Sequence, residues 1–223
     1  GELACIADAR EIPAIRTGAA SAVAPAALAS PDANHLAILG YGEQSTTHAR
    51  AIAKVRALES VTVWGRSPGR AAAFAERMSA ELGLPVRAAP SAREAVAWAD
   101  IICTTTASDK PVLEGAWVRP GTHVNLVGSS FAGPTEVDDD LVVRARFIAD
   151  YRDGVLQQGA EFLNAKAAGL IGDDHVVGEI GQVLAGTLPG RQSPDQVTVY
   201  KSLGHIVQDL ASVEALLAFP PRA

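Results

Sequence analysis

The tightest constraint on this chain is a glycine turn, Gly40-Tyr41-Gly42-Glu43-Gln44-Ser45, set between an apolar run and a helical stretch. Leu36-Ala37-Ile38-Leu39 before it reads as a buried strand, and Gln44 to Ala57 after it reads as a helix. In such a turn the first glycine permits the sharp reversal and the second lets a ligand approach the backbone. The third position needs a small residue where helix meets strand, and Ser45 is small enough. Backbone N–H groups at the helix start, with the helix dipole behind them, suit a pyrophosphate. The glycine spacing alone is weak evidence. Its strand–turn–helix setting, with a βα series behind it, makes it a dinucleotide-binding signature.

That series continues along the chain. Val61-Thr62-Val63-Trp64 reads as a strand, and Pro68 suits the first turn of a helix that runs through Met78 to Gly83. Pro85-Val86-Arg87-Ala88 is a short strand. Ser91 and Glu94 form a capping box for the helix to Trp98. Ile101–Thr104, Val124–Val127 and Phe147–Ala149 supply three more strands. These runs are continuously apolar and β-branched rather than alternating, as in a parallel sheet covered on both faces. The fold expected from about residue 35 to 150 is therefore α/β, a Rossmann-type doubly wound parallel sheet.

Composition removes several functions. Hydrophobic residues are 48% of the 223, enough for a core, and the net charge of −6 with no basic run argues against a nucleic-acid partner. The apolar stretch Gly18 to Ala29 is shorter than the ~20 residues of a membrane span, and no secretory signal opens the chain. Cys5 and Cys103 form no CxxC pair; Cys103, inside a strand, reads as an inert core thiol. Reducing cytoplasm is the natural compartment. His123 and His175 lack ligand partners at useful spacing, so no metal is expected. His48 reads as structural or close to the cofactor phosphates, and His205 as a capping or surface residue. Asp138-Asp139-Asp140 reads as a helix start.

The end of the second strand bears on the cofactor. An NAD site places Asp or Glu there for the ribose 2′-hydroxyl. This chain has Gly65-Arg66-Ser67-Pro68-Gly69-Arg70, with no carboxylate. Arg66, Ser67 and Arg70 suit a 2′-phosphate, so NADP is the preferred cofactor and NAD the alternative. Thr104, Thr105 and Thr106 after the fourth strand, and Val127, Gly128 and Ser129 after the fifth, lie where this fold binds ligands. With Gly40, Gly42, Glu43, Gln44 and Ser45 they complete the expected cofactor set.

The ends look different. Leu3-Ala4-Cys5-Ile6-Ala7 is strand-like with no partner strand in view, so its sheet is expected from residues outside this sequence or from another chain. Residues 13–29 read as a helix, and Ser202 to Ala218 as a closing amphipathic helix. The chain opens on Gly1 and its one methionine is Met78, which suggests processing or a fragment.

Several segments together resemble the ornithine cyclodeaminase/μ-crystallin family. They are Arg16-Thr17-Gly18-Ala19-Ala20-Ser21-Ala22, the GYGEQS turn, Ser67-Pro68-Gly69-Arg70, and Asp100-Ile101-Ile102-Cys103-Thr104-Thr105-Thr106. Pro120-Gly121-Thr122-His123-Val124-Asn125, Gly190-Arg191 and Lys201-Ser202-Leu203-Gly204 complete the collinear set. The resemblance implies that 1–29 is the remnant of a substrate-binding and dimerising domain with its linker helix, 30–200 the Rossmann domain, and 201–223 a helix returning towards the substrate domain. It implies a homodimer for the full-length protein, and a missing front portion that carries a cationic arginine and lysine. It gives Arg16 the role of pairing with a substrate α-carboxylate, for which a guanidinium fork is well shaped.

One departure from the family tips the activity. Family cyclodeaminases carry Asp where Ser130 stands. A serine without an activator is neither general acid nor general base at neutral pH. Reducing a cyclic iminium needs an anchored carboxylate and a placed hydride more than it needs proton relays. The expectation is thus an NAD(P)H-dependent reductase of a small cyclic ketimino acid of the Δ1-pyrroline-2-carboxylate type, with Arg16 and Ser130 as catalytic-site residues. Ornithine cyclodeaminase and a non-catalytic dinucleotide-dependent binder like μ-crystallin are the alternatives. Glu136 and Asp138 could replace the lost carboxylate, but both read more simply as helix-start acids.

Overall fold

In the computed structural model, residues 1–6 and 11–218 are described. Helix α1 (Ile12–Leu28) leads into β1 (His35–Leu39), α2 (Glu43–Val55), β2 (Ser60–Trp64), α3 (Pro68–Leu82), β3 (Val86–Ala88), α4 (Ala92–Val96) and β4 (Ile101–Thr104). The second half follows with β5 (His123–Leu126), α5 (Asp139–Arg144), β6 (Arg146–Ala149), α6 (Arg152–Gln158), α7 (Ala160–Ala167), β7 (Val176–Glu179), α8 (Ile180–Leu184), β8 (Thr198–Lys201) and α9 (Ile206–Ala218). The eight strands form one sheet in the order β3-β2-β1-β4-β5-β8-β6-β7, every pairing parallel.

The continuous apolar runs have the cause expected of them. In β1, Leu36 and Ile38 join a core shared with Ile52 of α2 and Phe74 and Met78 of α3. Ala37 and Leu39, on the other face, join a core with Val96 of α4, Leu141 of α5 and Phe162 of α7. The central strands β1, β4, β5 and β8 thus bury both of their faces, while β2 and β7 alternate buried with half-buried residues and β3, at the edge, is mostly exposed. Helix α1 is part of this construction: Asn125 of β5 donates through Nδ2 to the Ser21 carbonyl at 2.8 Å. A Cβ on Gly18 would come within 2.9 Å of the Thr47 backbone of α2. No described helix is long and apolar enough to cross a membrane.

Three expectations need correction. Residues 3–6 form no strand; Leu3 and Ile6 are exposed, and Ala7 lies outside the described residues. The last helix begins at Ile206, not Ser202. The amides of Leu203 and Gly204 donate instead to Asp150 Oδ2 at 2.8 and 2.7 Å, and Gly204 takes φ +86. Glu136 does not start a helix. Asp138 does, accepting from the Leu141 amide at 3.1 Å, while Glu136 is fully buried.

Candidate functional site

The chain lays down β1, β2 and β3 outward, then returns to place β4 on the other side of β1. That reversal is the topological switch point, and a crevice opens beyond the carboxyl ends of β1 and β4. The glycine turn forms its first rim. Gly40 has φ +130, and a Cβ there would lie 2.7 Å from Thr105 Oγ1 and 2.9 Å from Ser45 Oγ, so the fold itself demands this glycine. Gly42 differs. Its φ is −87, and a Cβ there would meet nothing within 4 Å. The protein has no internal need of the second glycine, which leaves bare backbone facing the crevice.

Ser45 is a clasp under this turn: its Oγ accepts from the Gly42 amide at 3.1 Å and bonds Thr105 Oγ1 at 2.9 Å. Glu43 and Gln44 open α2, where helix amides lack intrahelical acceptors. Gln44 Oε1 is buried without a partner among the described residues. His48, one turn on, is enclosed; its Nδ1 donates to the Gln44 carbonyl at 2.6 Å, and burial pushes the ring down to about 4.

Two cavities meet at this rim. One, of about 260 Å³, is bounded by Gly40, Tyr41 and Gly42, by Trp64, Gly65 and Arg66, and by Thr105 through Ser108. The other, of about 390 Å³, is bounded by Arg16, Gln44, Thr105–Ala107, Val127, Gly128, Ser130 and the Ser202–Gly204 loop. Thr105, Thr106 and Ala107 are their common wall. Outside the turn, Arg70 lines a shallow basin with Arg77. Ser67 sits at the N-cap of α3 without a side-chain cap bond, and Arg66 and Arg70 are exposed. Glu43 is exposed at the start of α2.

The second rim, at the ends of β4 and β5, is closed by buried polar groups. Glu136 accepts from Thr104 Oγ1 (2.6 Å), the Thr106 amide (2.6 Å), Thr106 Oγ1 (2.8 Å) and the Gly128 amide (2.7 Å). Burial pushes its carboxyl above the usual range, against the pull of these donors and of Lys201. Behind it, Lys201 Nζ pairs with Glu161 Oε2 at 2.8 Å and donates to the Ser129 carbonyl and hydroxyl. The Ser129 hydroxyl also donates to Glu161. The Thr104 and Ser129 side chains therefore face this network, Thr106 joins it through its hydroxyl while bordering both cavities, and Thr105, Val127 and Gly128 border the cavities.

Arg16 reaches the 390 Å³ cavity from α1. Its Nε pairs with Asp209 Oδ1 and its Nη1 with Gln208 Oε1, both at 3.0 Å and both on α9. Ser130 borders the same cavity and is exposed. His205 packs against Tyr151, the ring centroids 4.6 Å apart and the planes tilted by 53°. His175 donates to the Val142 carbonyl at 2.6 Å. His123 donates from Nε2 to Asn125 Oδ1 at 2.9 Å, and burial holds its ring down at about 3. Burial also pushes the Cys103 thiol up to about 12.

Residues 1–217 match the Ornithine cyclodeaminase/mu-crystallin family. The chain belongs to that family. Mouse ketimine reductase mu-crystallin is 35% identical over 214 residues, covering 96% of this chain and 64% of the mouse protein. Delta(1)-pyrroline-2-carboxylate reductase of Paracoccus denitrificans is 35% identical over 94% of this chain and 66% of its own length. Among solved structures, the Thermococcus litoralis Delta(1)-pyrroline-2-carboxylate reductase, in complex with NADH and L-proline, superposes with a TM-score of 0.90 at 34% identity. It covers 94% of this chain and 66% of its own. The iminosuccinate reductase of Paracoccus denitrificans with NAD+ gives 0.88 at 37%, over 94% of this chain and 64% of its own. The chain thus spans about two thirds of the length of these relatives.

Within this member of the family, sequence reasoning singled out both rims but missed how the second is held. Glu161 and Lys201 carried no separate signal, although Lys201 opens the Lys-Ser-Leu-Gly segment that supported the family resemblance. Glu136 was read by its neighbours in sequence, not by the three strand-end residues that converge on it.

Proposed function

We propose that this chain is the dinucleotide-binding part of an NADP(H)-preferring reductase that acts on a small cyclic ketimino acid of the Δ1-pyrroline-2-carboxylate type. The observation that carries the reading is the shared wall. A cavity along the glycine turn and a cavity holding Arg16 and Ser130 are separated only by Thr105–Ala107. The first-turn amides of α2 receive the pyrophosphate, which the missing side chain at Gly42 lets come close. Arg66, Ser67 and Arg70 receive the 2′-phosphate, by charge-assisted hydrogen bonds that the 2′-hydroxyl of NAD cannot match. Thr105, Thr106, Val127 and Gly128 bound the nicotinamide end.

Reduced nicotinamide supplies a hydride. The protein supplies position. Arg16 anchors the substrate carboxylate through guanidinium N–H groups that Asp209 and Gln208 leave free, setting the C=N bond against the shared wall. Ser130 borders the substrate without moving a proton. Glu136, the carboxylate that could have served a cyclodeaminase, is shut behind Gly128 with all its bonds directed at strand ends, which favours a reductase over a lyase.

Mixing the full-length protein with Δ1-pyrroline-2-carboxylate or ornithine and following reduced-nicotinamide absorbance tests the reading. Net NADPH consumption with formation of the cyclic amino acid is expected. Ammonia released from ornithine without net consumption would make it a cyclodeaminase, and no turnover with either a binding protein.

A further inference from the structure

Tyr41 occupies a position of the glycine turn that dinucleotide recognition leaves free to vary. Its ring has a definite neighbour. A Cβ on Gly65 would fall 2.2 Å from Tyr41 Cε1 and 2.3 Å from Cδ1, far inside van der Waals contact. Gly65 is not a positive-φ glycine, so its backbone would accept a side chain. The glycine at 65 is therefore required by the Tyr41 ring and not by the course of the chain.

Position 65 matters because of where it lies. It directly follows β2, whose Trp64 pairs with Leu39 of β1, and the Gly40 amide donates to the Trp64 carbonyl at 2.8 Å. This is the strand end at which an NAD site carries the acid that reads the adenosine ribose. Tyr41 and Gly42 border both the 260 Å³ cavity and the outer basin, and of the two only Tyr41 has a side chain to stand where they meet. On the basin side lie Arg70 and Arg77. The Arg77 guanidinium sits 5.2 Å from the Phe74 ring centroid and donates to Thr46 Oγ1 at 3.1 Å.

We propose that Tyr41 sets the coenzyme choice, its ring occupying the space from which a carboxylate at position 65 would read the ribose of NAD(H). Without that carboxylate the ribose edge carries no negative charge, and the guanidinium side is left to attract a 2′-phosphate. The inference rests on the dinucleotide reading of the cavity. It adds that the absence of an acid there is enforced by a side chain of the glycine turn.

Fluorescence titration with NADPH and NADH, beside a thermal melt of each variant, tests it. Gly65→Asp alone should weaken both coenzymes, because the new side chain must displace the ring. Tyr41→Ala with Gly65→Asp should bind NADH at least about tenfold tighter than Gly65→Asp does, and should prefer NADH over NADPH. Tyr41→Phe with Gly65→Asp should remain as weak as Gly65→Asp, since the ring and not the hydroxyl fills the space. Should Gly65→Asp fail to fold, Gly65→Ala replaces it, and adding Tyr41→Ala should restore both coenzymes. NADH affinity raised by Gly65→Asp alone, or no gain from removing the ring in a folded double variant, overturns the proposal. So does a wild type that prefers NADH. A wild type that binds neither coenzyme overturns the dinucleotide reading beneath it.

Discussion

The two rims of the crevice are built on opposite terms. At the glycine turn polar groups are left outward: no side chain at Gly42 covers the first-turn amides of α2, which lack intrahelical acceptors, and the arginines after β2 are exposed. At the ends of β4 and β5 the polar groups are turned inward: Glu136 is met by Thr104, Thr106 and the Gly128 amide, and Glu161, Ser129 and Lys201 satisfy one another out of contact with water. A rim with unspent donors is suited to a ligand. A rim whose donors are spent is suited to holding backbone still, here the strand ends that carry Thr105–Ala107 and Gly128. Substitutions at the first rim should therefore change binding with little change in stability, and substitutions at the second should do the reverse.

The largest effect is expected at Lys201. Lys201→Met leaves Glu161 buried without its cation, and losing one partner of such a pair costs about 3–5 kcal/mol. Chemical denaturation should show that loss. A change under about 1 kcal/mol would mean that the network is not what fixes the second rim.

Acid should strain the sheet that carries the crevice. His48 lies under the first rim and His123 opens β5, at the end of that strand away from the second rim, and burial lowers both, to about 4 and about 3. Between pH 6.5 and 4 the unfolded chain takes up protons that the folded rings refuse. Stability is therefore full above 6.5 and falls as pH drops, by about 1.4 kcal/mol per unit for each ring. Melting curves from pH 7 to 5 should shift downward, and replacing His48 with Gln should flatten part of the slope.

How much of this was legible in sequence follows the same division. The first rim is local: strand, turn and helix are consecutive, and Gly40, Gly42 and Ser45 carry their reasons in their spacing. Strands β7 and β8 were not legible. Each is four residues long, and β7 ends Gly178-Glu179 while β8 ends in Lys201. A strand ending in a charge reads as a loop or an exposed edge, yet β8 lies between β5 and β6 with Lys201 buried. What permits that burial is Glu161, forty residues earlier on α7, a pairing that no local pattern announces. Glu136 was hidden for the same reason, since its partners come from β4 and from the residues after β5. The strand expected at residues 3–7 failed the other way: its apolar run is present, but nothing in the described sheet pairs with residues 3–6.

A smaller effect separates the coenzymes. Replacing Arg66 and Arg70 together with Ala should weaken NADPH by about ten- to a hundredfold, as expected from losing charge-assisted hydrogen bonds, and NADH far less. Equal losses would show that these arginines do not read the phosphate. The smallest effect belongs to Ser130→Ala, which should leave the reductase rate within a fewfold. A fall of about a thousandfold or more would give the hydroxyl a direct part in the chemistry.

The contrast between the rims is tested most directly by the NADPH dissociation constant of Gly42→Ala, measured beside its melting temperature. A Cβ there meets no protein atom, so the variant should stay within about 1 kcal/mol of wild-type stability. The same Cβ projects into the crevice, so NADPH should bind at least about tenfold more weakly. Unchanged NADPH affinity in the folded variant would contradict the account, because bare backbone at Gly42 would then serve no ligand.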